Sequence, residues 1–130
     1  MKKILIANRG EIALRIIKTC KEMDIETIAI YSDADSEMPF VREATKAIRI
    51  GEAPVNKSYL RADLILEIAI QEKVDAIHPG YGFLSENAAF ATQVIEQGII
   101  FIGPSPKTIE LMGDKIVSRT TMMNAGVPVV

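Results

Sequence analysis

Short apolar segments alternate with helical patterns along the chain, and this alternation most constrains the fold. Five segments have the apolar character of buried strands: residues 4–7, 26–31, 46–50, 74–77 and 99–102. Between them, four segments carry apolar residues at helical spacing: residues 10–23, 39–44, 61–72 and 87–96. Such alternation indicates right-handed crossovers between parallel strands. We therefore predict an α/β fold: a doubly wound, mostly parallel five-stranded sheet with helices on both faces.

Local signals fix several helix ends. Gly98 follows a helical segment at the position where a left-handed residue ends helices. Ser105 is expected to cap a short helix whose first residue is Pro106, and Asp114 to cap a last one. Cys20 is the only cysteine, so no internal disulfide forms, and its place on the apolar side of the first helix predicts a buried thiol.

Composition excludes several classes of function. The 130 residues, 48% of them hydrophobic, suffice for one domain with its own core. The 15 basic and 17 acidic residues give a net charge of −2, which provides no electrostatic surface for nucleic acid or an anionic membrane. Apolar runs are too short for a signal peptide or a membrane span. We expect a soluble, cytoplasmic protein with no nucleic-acid or membrane partner.

Two polar segments are the candidate functional motifs. They are residues 6–13 (IANRGEIA) and residues 78–87 (HPGYGFLSEN). In each, a predicted strand runs into a glycine-containing turn and then into a helix. This places their side chains and free backbone donors at the carboxyl ends of strands, where open α/β sheets bind ligands.

The first motif does not have the pattern of a dinucleotide site. The dinucleotide fingerprint needs three glycines, whereas this turn has only Gly10, and Arg9 and Glu11 occupy the space of the phosphates. Asp33 resembles the ribose-binding acid of such sites, but acids are common in turns, and the chain has no Walker sequence. A structural role accounts for the turn as well: Gly10 allows a tight turn, and Arg9 pairs with an acid across the sheet edge.

The second motif leaves a structural and a chemical role open. His78, the only histidine, ends a strand, and no neighbour in sequence completes a charge relay or a metal site. Gly80 and Gly82 flank Tyr81, so the backbone of this loop can approach a ligand closely beside the phenol. Glu86 is predicted in the first turn of the next helix, where a carboxylate is stabilising with or without a chemical role.

With four further segments, these motifs resemble the amino-terminal domain of biotin carboxylase, the ATP-dependent component of the biotin-dependent carboxylases. The further segments are residues 57–60 (KSYL), 101–104 (FIGP), 111–115 (LMGDK) and 125–128 (AGVP). The resemblance runs over essentially the whole chain. It implies a Rossmann-like pre-ATP-grasp domain at residues 1–112, with residues 113–130 beginning the linker into an ATP-grasp module.

The resemblance also implies a reaction. In this family of ligases, MgATP (or MnATP) phosphorylates bicarbonate, and the carboxyl group passes to N1 of biotin on a separate carrier domain. The family domain opens acetyl-CoA carboxylase, an enzyme of fatty acid biosynthesis, and the pyruvate, propionyl-CoA and methylcrotonyl-CoA carboxylases. The expected partners are the ATP-grasp remainder of the enzyme, the biotin carboxyl carrier domain and a second copy in a homodimer.

The family's site residues carry over onto few positions. Lys115 matches a nucleotide-contacting lysine, and Arg15, Lys18 and Glu22 match the helix face of the homodimer contact. The segment facing biotin and bicarbonate matches the loop that contains His78, Gly80, Tyr81, Gly82 and Glu86. The metal-binding acids, the base and the bicarbonate-binding arginine of the family lie beyond position 130. The chain alone is therefore expected to hold no metal, to bind no cofactor tightly and to be inactive.

An alternative of a different class is a stand-alone Rossmann-like module that binds a nucleotide or a partner protein. The apolar residues 127–130 favour the enzyme fragment, because a finished module rarely leaves such a segment exposed.

Overall fold

The chain forms one sheet in which every neighbouring pair of strands is parallel. The computed structural model describes residues 1–113. The five strands are β1 (Lys3–Ile6), β2 (Glu26–Ser32), β3 (Lys46–Gly51), β4 (Ala76–His78) and β5 (Ile100–Phe101). Their spatial order is β3-β2-β1-β4-β5. The predicted doubly wound sheet is confirmed, and it is parallel throughout.

Helices cover both faces of the sheet. Within the described residues they are α1 (Gly10–Glu22), α2 (Pro39–Glu43), α3 (Ala62–Gln71) and α4 (Ala88–Glu96), with a further helical segment at residues 106–113. Side chains alternate between the two faces along β1. Ile4 and Ile6 pack with α1 and α2, while Leu5 packs with α3 and α4. No helix in the described part of the chain is long and apolar enough to cross a membrane.

The local signals for helix ends agree with the structure. Gly98 has a φ of +76° directly after the C-cap of α4. The Ser105 hydroxyl accepts a hydrogen bond from the backbone N–H of Thr108 at 3.2 Å, and the helix it caps begins at Pro106. Cys20 is buried in the core beneath α1, and burial raises the pKa of its thiol. The predicted cap at Asp114 lies outside the described residues.

Two predicted boundaries are wrong. Glu86 is not in the first turn of α4: it ends a 3₁₀ turn, Phe83–Glu86, and Asn87 intervenes as the N-cap. The fourth strand begins at Ala76 rather than residue 74, because the Val74 N–H has another hydrogen-bond partner, although the Asp75 N–H already donates to Lys3 O in β1 at 2.8 Å. The Val74 N–H completes the end of α3, and the Asp75 carboxylate accepts from the N–H groups of residues 2 and 3 at 2.7 and 2.9 Å.

The strand order places both motifs at one crevice. β1 and β4 are neighbours, with Ile6 opposite His78 in the register. The chain runs outward to β2 and β3 on one side of β1 and to β4 and β5 on the other, so the order reverses between β1 and β4. Such a switch point opens a crevice outside the carboxyl ends of the strands, where open α/β sheets bind ligands.

Candidate functional site

Asn8 joins the two motifs directly. Its side-chain Nδ2 donates to the carbonyl oxygens of Pro79 and Tyr81, both at 2.8 Å. Its Oδ1 accepts from the N–H of Arg9, also at 2.8 Å. The residue is 1% exposed. A buried amide with both its donor hydrogens and its acceptor satisfied has one fixed orientation, so Asn8 holds the loop after β4 against the loop after β1.

Gly80 is required by the closeness of this contact. Its φ is +67°, in the left-handed region that side chains rarely adopt. A Cβ at this position would lie 2.7 Å from Asn8 Nδ2 and 2.9 Å from Ile12 Cγ2, which is closer than the atoms can approach. The backbone of the second motif therefore packs against both the turn and the helix of the first.

His78 supports the same loop from its own side. Its Nδ1 accepts a hydrogen bond from the Gly80 N–H at 3.1 Å. Because Nδ1 is the acceptor, the neutral ring carries its proton on Nε2. Burial lowers the pKa of this half-buried imidazole, so the neutral form predominates at physiological pH. The geometry accounts for His78 as a residue that fixes backbone conformation.

A buried carboxylate at the sheet edge forms a second connection. The guanidinium of Arg9 donates from Nε and Nη2 to the two oxygens of Asp35, both at 2.7 Å. The Tyr59 hydroxyl donates to Asp35 Oδ2 at 2.6 Å and accepts from the Ser32 N–H at 2.9 Å. The predicted pairing of Arg9 with an acid across the edge is confirmed, and Asp35 is that acid.

Each group in this network stabilises the ionisation state of the next. Hydrogen bonding by Arg9 lowers the pKa of Asp35 despite burial, and Asp35 raises the pKa of Arg9. Burial raises the pKa of Tyr59 to about 12, and its hydrogen bond to Asp35 adds to the shift. An ionised carboxylate with three donors is compatible with burial, so the network fixes the end of β1.

The network reaches the second motif through Phe83. Its ring stacks on Tyr59 with centroids 5.7 Å apart and planes inclined by 30°. Phe83 has a φ of +46°, a left-handed conformation that costs a non-glycine residue about 1–2 kcal/mol. Stacking against a ring that is itself hydrogen-bonded helps to hold this strained backbone. The two loops are thus joined both by Asn8 and by the path from Arg9 to Phe83.

The loop presents its polar tip to solvent. Tyr81 is 81% exposed, and Gly82 and Glu86 are also exposed. A groove of about 530 Å³ runs from His78, Gly80 and Tyr81 along the flank of α1. The groove wall is mainly apolar, with Met1, Ile4, Ile12, Ile16, Met23 and Ile102 among its residues.

The remaining candidate residues lie apart from the crevice or outside the described residues. Arg15, Lys18 and Glu22 are exposed on α1, and Arg15 also lines the groove. Lys115 lies outside the described residues. Asp33, which resembled a ribose-binding acid, is bound by Arg49 Nε and Nη2 at 2.6 and 2.9 Å.

Metal ligands do not cluster in the described part of the chain. Residues 1–113 contain no group of three His, Cys, Asp or Glu side chains that could hold a metal ion.

The sequence did not indicate Asn8, Asp35 or Tyr59 as residues that hold the site together. Asn8 is separated by 71 and 73 positions from the carbonyls it binds, and Tyr59 by 24 from Asp35. The one local signal was an asparagine directly after a buried strand, where a small polar side chain can reach a neighbouring turn.

Comparison with known proteins establishes the family. The model of the family described as "Biotin carboxylase, N-terminal domain" matches residues 1–109. The chain belongs to this family. It is 61% identical over 129 residues to a biotin carboxylase of Halalkalibacterium halodurans, an alignment that covers 99% of the chain and 28% of that protein. It is 52% identical over 129 residues to the small subunit of the 2-oxoglutarate carboxylase of Hydrogenobacter thermophilus, covering 99% of the chain and 27% of that protein.

Solved structures agree with the family. One is the biotin carboxylase domain dimer of the Hydrogenobacter thermophilus 2-oxoglutarate carboxylase, in complex with MgADP, ADP and bicarbonate. It matches with a TM-score of 0.85 and 52% identity over 99% of this chain and 28% of that one. The chain thus spans 28% of the length of the first relative and of this structure.

Proposed function

We propose that the chain forms the amino-terminal part of a biotin carboxylase, an ATP-dependent ligase. The enzyme would use MgATP to phosphorylate bicarbonate and would then carboxylate biotin on a carrier domain. The family match and the relatives named biotin carboxylase support this proposal. So does the related domain crystallised with MgADP and bicarbonate.

In the proposed enzyme, two domains contribute different parts of the active site. Residues 1–112 form the pre-ATP-grasp domain, and residues 113–130 begin the linker into the ATP-grasp module. A family match over residues 1–109 supports this boundary. ATP and its magnesium ions are then held mainly by the downstream module, with Lys115 as this chain's own contact to the nucleotide. Such a lysine would neutralise charge on the phosphates.

The proposed role of this domain in the active site rests on the arrangement of the two loops at the switch point. Asn8 and His78 form hydrogen bonds to the backbone of the loop after β4, and the tip of the loop at Tyr81 and Gly82 faces solvent beside the crevice. An exposed phenol on a fixed backbone can orient an uncharged, partly apolar ring system such as that of biotin. We propose that His78, Gly80, Tyr81, Gly82 and Glu86 form the wall on the biotin and bicarbonate side.

Partner surfaces follow the same assignment. We propose that Arg15, Lys18 and Glu22 contribute to a homodimer contact, because these charged side chains share one exposed face of α1. The dimeric state of the related domain supports this. Relatives at similar identity are named for different acceptors, pyruvate and 2-oxoglutarate. We therefore assign this domain to the carboxylation of biotin and not to a particular final acceptor.

Two substitutions test the assignment in the longer protein, in which the downstream ATP-grasp segment follows this chain. Lys115→Gln removes a positive charge from the nucleotide site, so we expect a higher KM for ATP and an unchanged KM for biotin. Tyr81→Phe removes only a hydroxyl at the loop tip, so we expect a higher KM for biotin and an unchanged KM for ATP. Steady-state kinetics with each substrate varied in turn measure both constants.

Each variant is the control for the other. A rise in the KM for ATP in Tyr81→Phe, or in the KM for biotin in Lys115→Gln, would contradict the assignment of the two residues to separate sides of the active site.

A further inference from the structure

We propose that Asn8 is the positioning residue of the biotin-side loop, which sets the path of residues 79–81 and so the place of Tyr81 and Gly82 in the active site. This inference rests on the proposed function of the loop. In this proposal the first motif does not contact biotin, and it affects biotin binding only by positioning the second motif.

The hydrogen-bonding pattern makes the asparagine amide specific. Both hydrogens of Nδ2 bind carbonyl oxygens of the second motif, and Oδ1 binds the N–H of Arg9. A rotated amide would set its oxygen against the two carbonyl oxygens of Pro79 and Tyr81. An ionised aspartate has the same shape but no donor, so it would leave both carbonyls unpaired. Among side chains of this size, only asparagine meets all three requirements.

The segment from Pro79 to Tyr81 depends on this contact, because the other contacts hold the two ends of the loop: the Ala7 N–H donates to His78 O at 2.9 Å, and the Ser85 N–H donates to Gly82 O at 3.0 Å. Among the described residues, Asn8 is the side chain that binds the Tyr81 carbonyl. His78 holds only the N–H of Gly80. Tyr81 is 81% exposed, so its side chain adds little packing. Without Asn8, the segment from Pro79 to Gly82 would sample other conformations, and a ligand would have to select one.

The contact is also tight enough to transmit small displacements. Gly80 approaches so closely that even one added carbon would overlap the Asn8 amide at 2.7 Å. A shift of the first motif therefore moves the backbone of the second, because close-packed atoms are not compressible. Asn8 does not reach the loop tip itself, so its effect on a ligand there is one of position.

The test uses Asn8→Asp and Asn8→Ser in the longer, active protein. Both remove the two N–H donors of the amide; serine adds no charge, and its single hydroxyl can donate to at most one of the two carbonyls. We expect the KM for biotin to rise about tenfold, the size of one or two lost buried hydrogen bonds. The KM for ATP and the rate of bicarbonate-dependent ATP cleavage without biotin should change by less than about twofold. A loss of general stability would not produce this split.

Thr27→Val is the matched control. Thr27 is equally buried, and its hydroxyl accepts from the Thr45 N–H at 3.2 Å. It lies at the amino end of β2, at the opposite edge of the sheet from the two motifs. The substitution therefore removes a buried side-chain hydrogen bond without touching the loop. We expect both KM values to stay unchanged in this variant.

Three results would overturn the proposal. The first is a KM for biotin that stays within about twofold of the original value in both Asn8 variants. The second is a rise in the KM for biotin in Thr27→Val equal to that in the Asn8 variants. The third is loss of the folded state, seen by circular dichroism, in both Asn8 variants. The last would make Asn8 a general structural residue.

A second measurement separates this inference from the proposed function. If the unsubstituted longer protein does not carboxylate biotin, the proposed function fails. The positioning role is then decided by the amide chemical shifts of Gly80, Tyr81 and Gly82 in the 130-residue chain. Chemical-shift changes of these three amides in Asn8→Ser, beyond those of the residues adjacent to position 8 and absent from Thr27→Val, would support it, and unchanged shifts in the loop would overturn it.

Discussion

Burial determines how much an Asp–Arg ion pair contributes to the stability of this fold. Two of the Asp–Arg pairs among the described residues, Asp35 with Arg9 and Asp33 with Arg49, have the same two-bond geometry. The pair of Asp35 with Arg9 has a carboxylate side chain only 5% exposed, whereas both members of the pair of Asp33 with Arg49 are about half exposed. Solvent screens the second pair, so only the first is expected to contribute much to stability.

We predict that Asp35→Asn lowers the free energy of unfolding by about 2 kcal/mol at neutral pH, because charge-assisted bonds to a buried carboxylate are lost. Asp33→Asn is the matched control and should have a much smaller effect. Urea unfolding followed by circular dichroism measures both. Equal effects of the two substitutions would contradict the role assigned to burial.

The pH dependence of this effect follows from the lowered pKa of Asp35. A depressed folded-state pKa contributes stability that is fully present above the unfolded-state pKa, about 3.9. It is lost as the pH falls through the lower folded-state pKa. The stability difference between the original chain and Asp35→Asn should therefore shrink as the pH falls below about 3.9. A difference that stays constant into strong acid would show that ionisation of Asp35 is not its source.

At this scale the sequence predicted types of interaction better than partners. That Arg9 pairs with an acid followed from its place beside a turn, but the acid is Asp35, 26 positions away. Asp33, an acid of the kind that is common in such turns, is bound by Arg49. Pairings across such separations depend on which strands become neighbours, and no local pattern contains that information.

Individual helices and strands differ in how far local signals determine them. Helix α1 lies within one residue of its predicted bounds, and Gly98 and Ser105 end and begin helices as predicted. These positions depend on hydrogen bonds to residues a few positions away. Strand ends depend on partners far along the chain, such as Lys3, whose carbonyl oxygen accepts from the Asp75 N–H at 2.8 Å, so local patterns do not determine them.

The N-cap of α4 provides a prediction for a single element. Asn87 Oδ1 accepts from the Phe90 N–H at 2.9 Å, so Asn87→Ala should destabilise the chain by about 1 kcal/mol. Asn87→Asp keeps an acceptor in place and should cost much less. Thermal or urea unfolding measures both. Equal losses in the two variants would show that the cap bond is not what stabilises this end of the helix.

For the whole molecule, strand order decides what the two motifs can do together. Periodicity predicted the faces of the strands and the parallel sheet, but gave no order. The order β3-β2-β1-β4-β5 makes β1 and β4 neighbours, although α1, α2 and α3 lie between them in the chain. Because of it, Asn8 reaches the loop after β4, and the two motifs form one wall at the switch point.

Bicarbonate-dependent ATP cleavage coupled to carboxylation of free biotin is the measurement that decides whether the proposed function is correct. It compares the 130-residue chain with the same chain extended through its downstream ATP-grasp segment. We predict turnover in the extended protein and none in the chain alone, since the chain spans only 28% of the length of the related biotin carboxylase. Turnover by the 130-residue chain, or no biotin carboxylation by the extended protein, would contradict the proposed function.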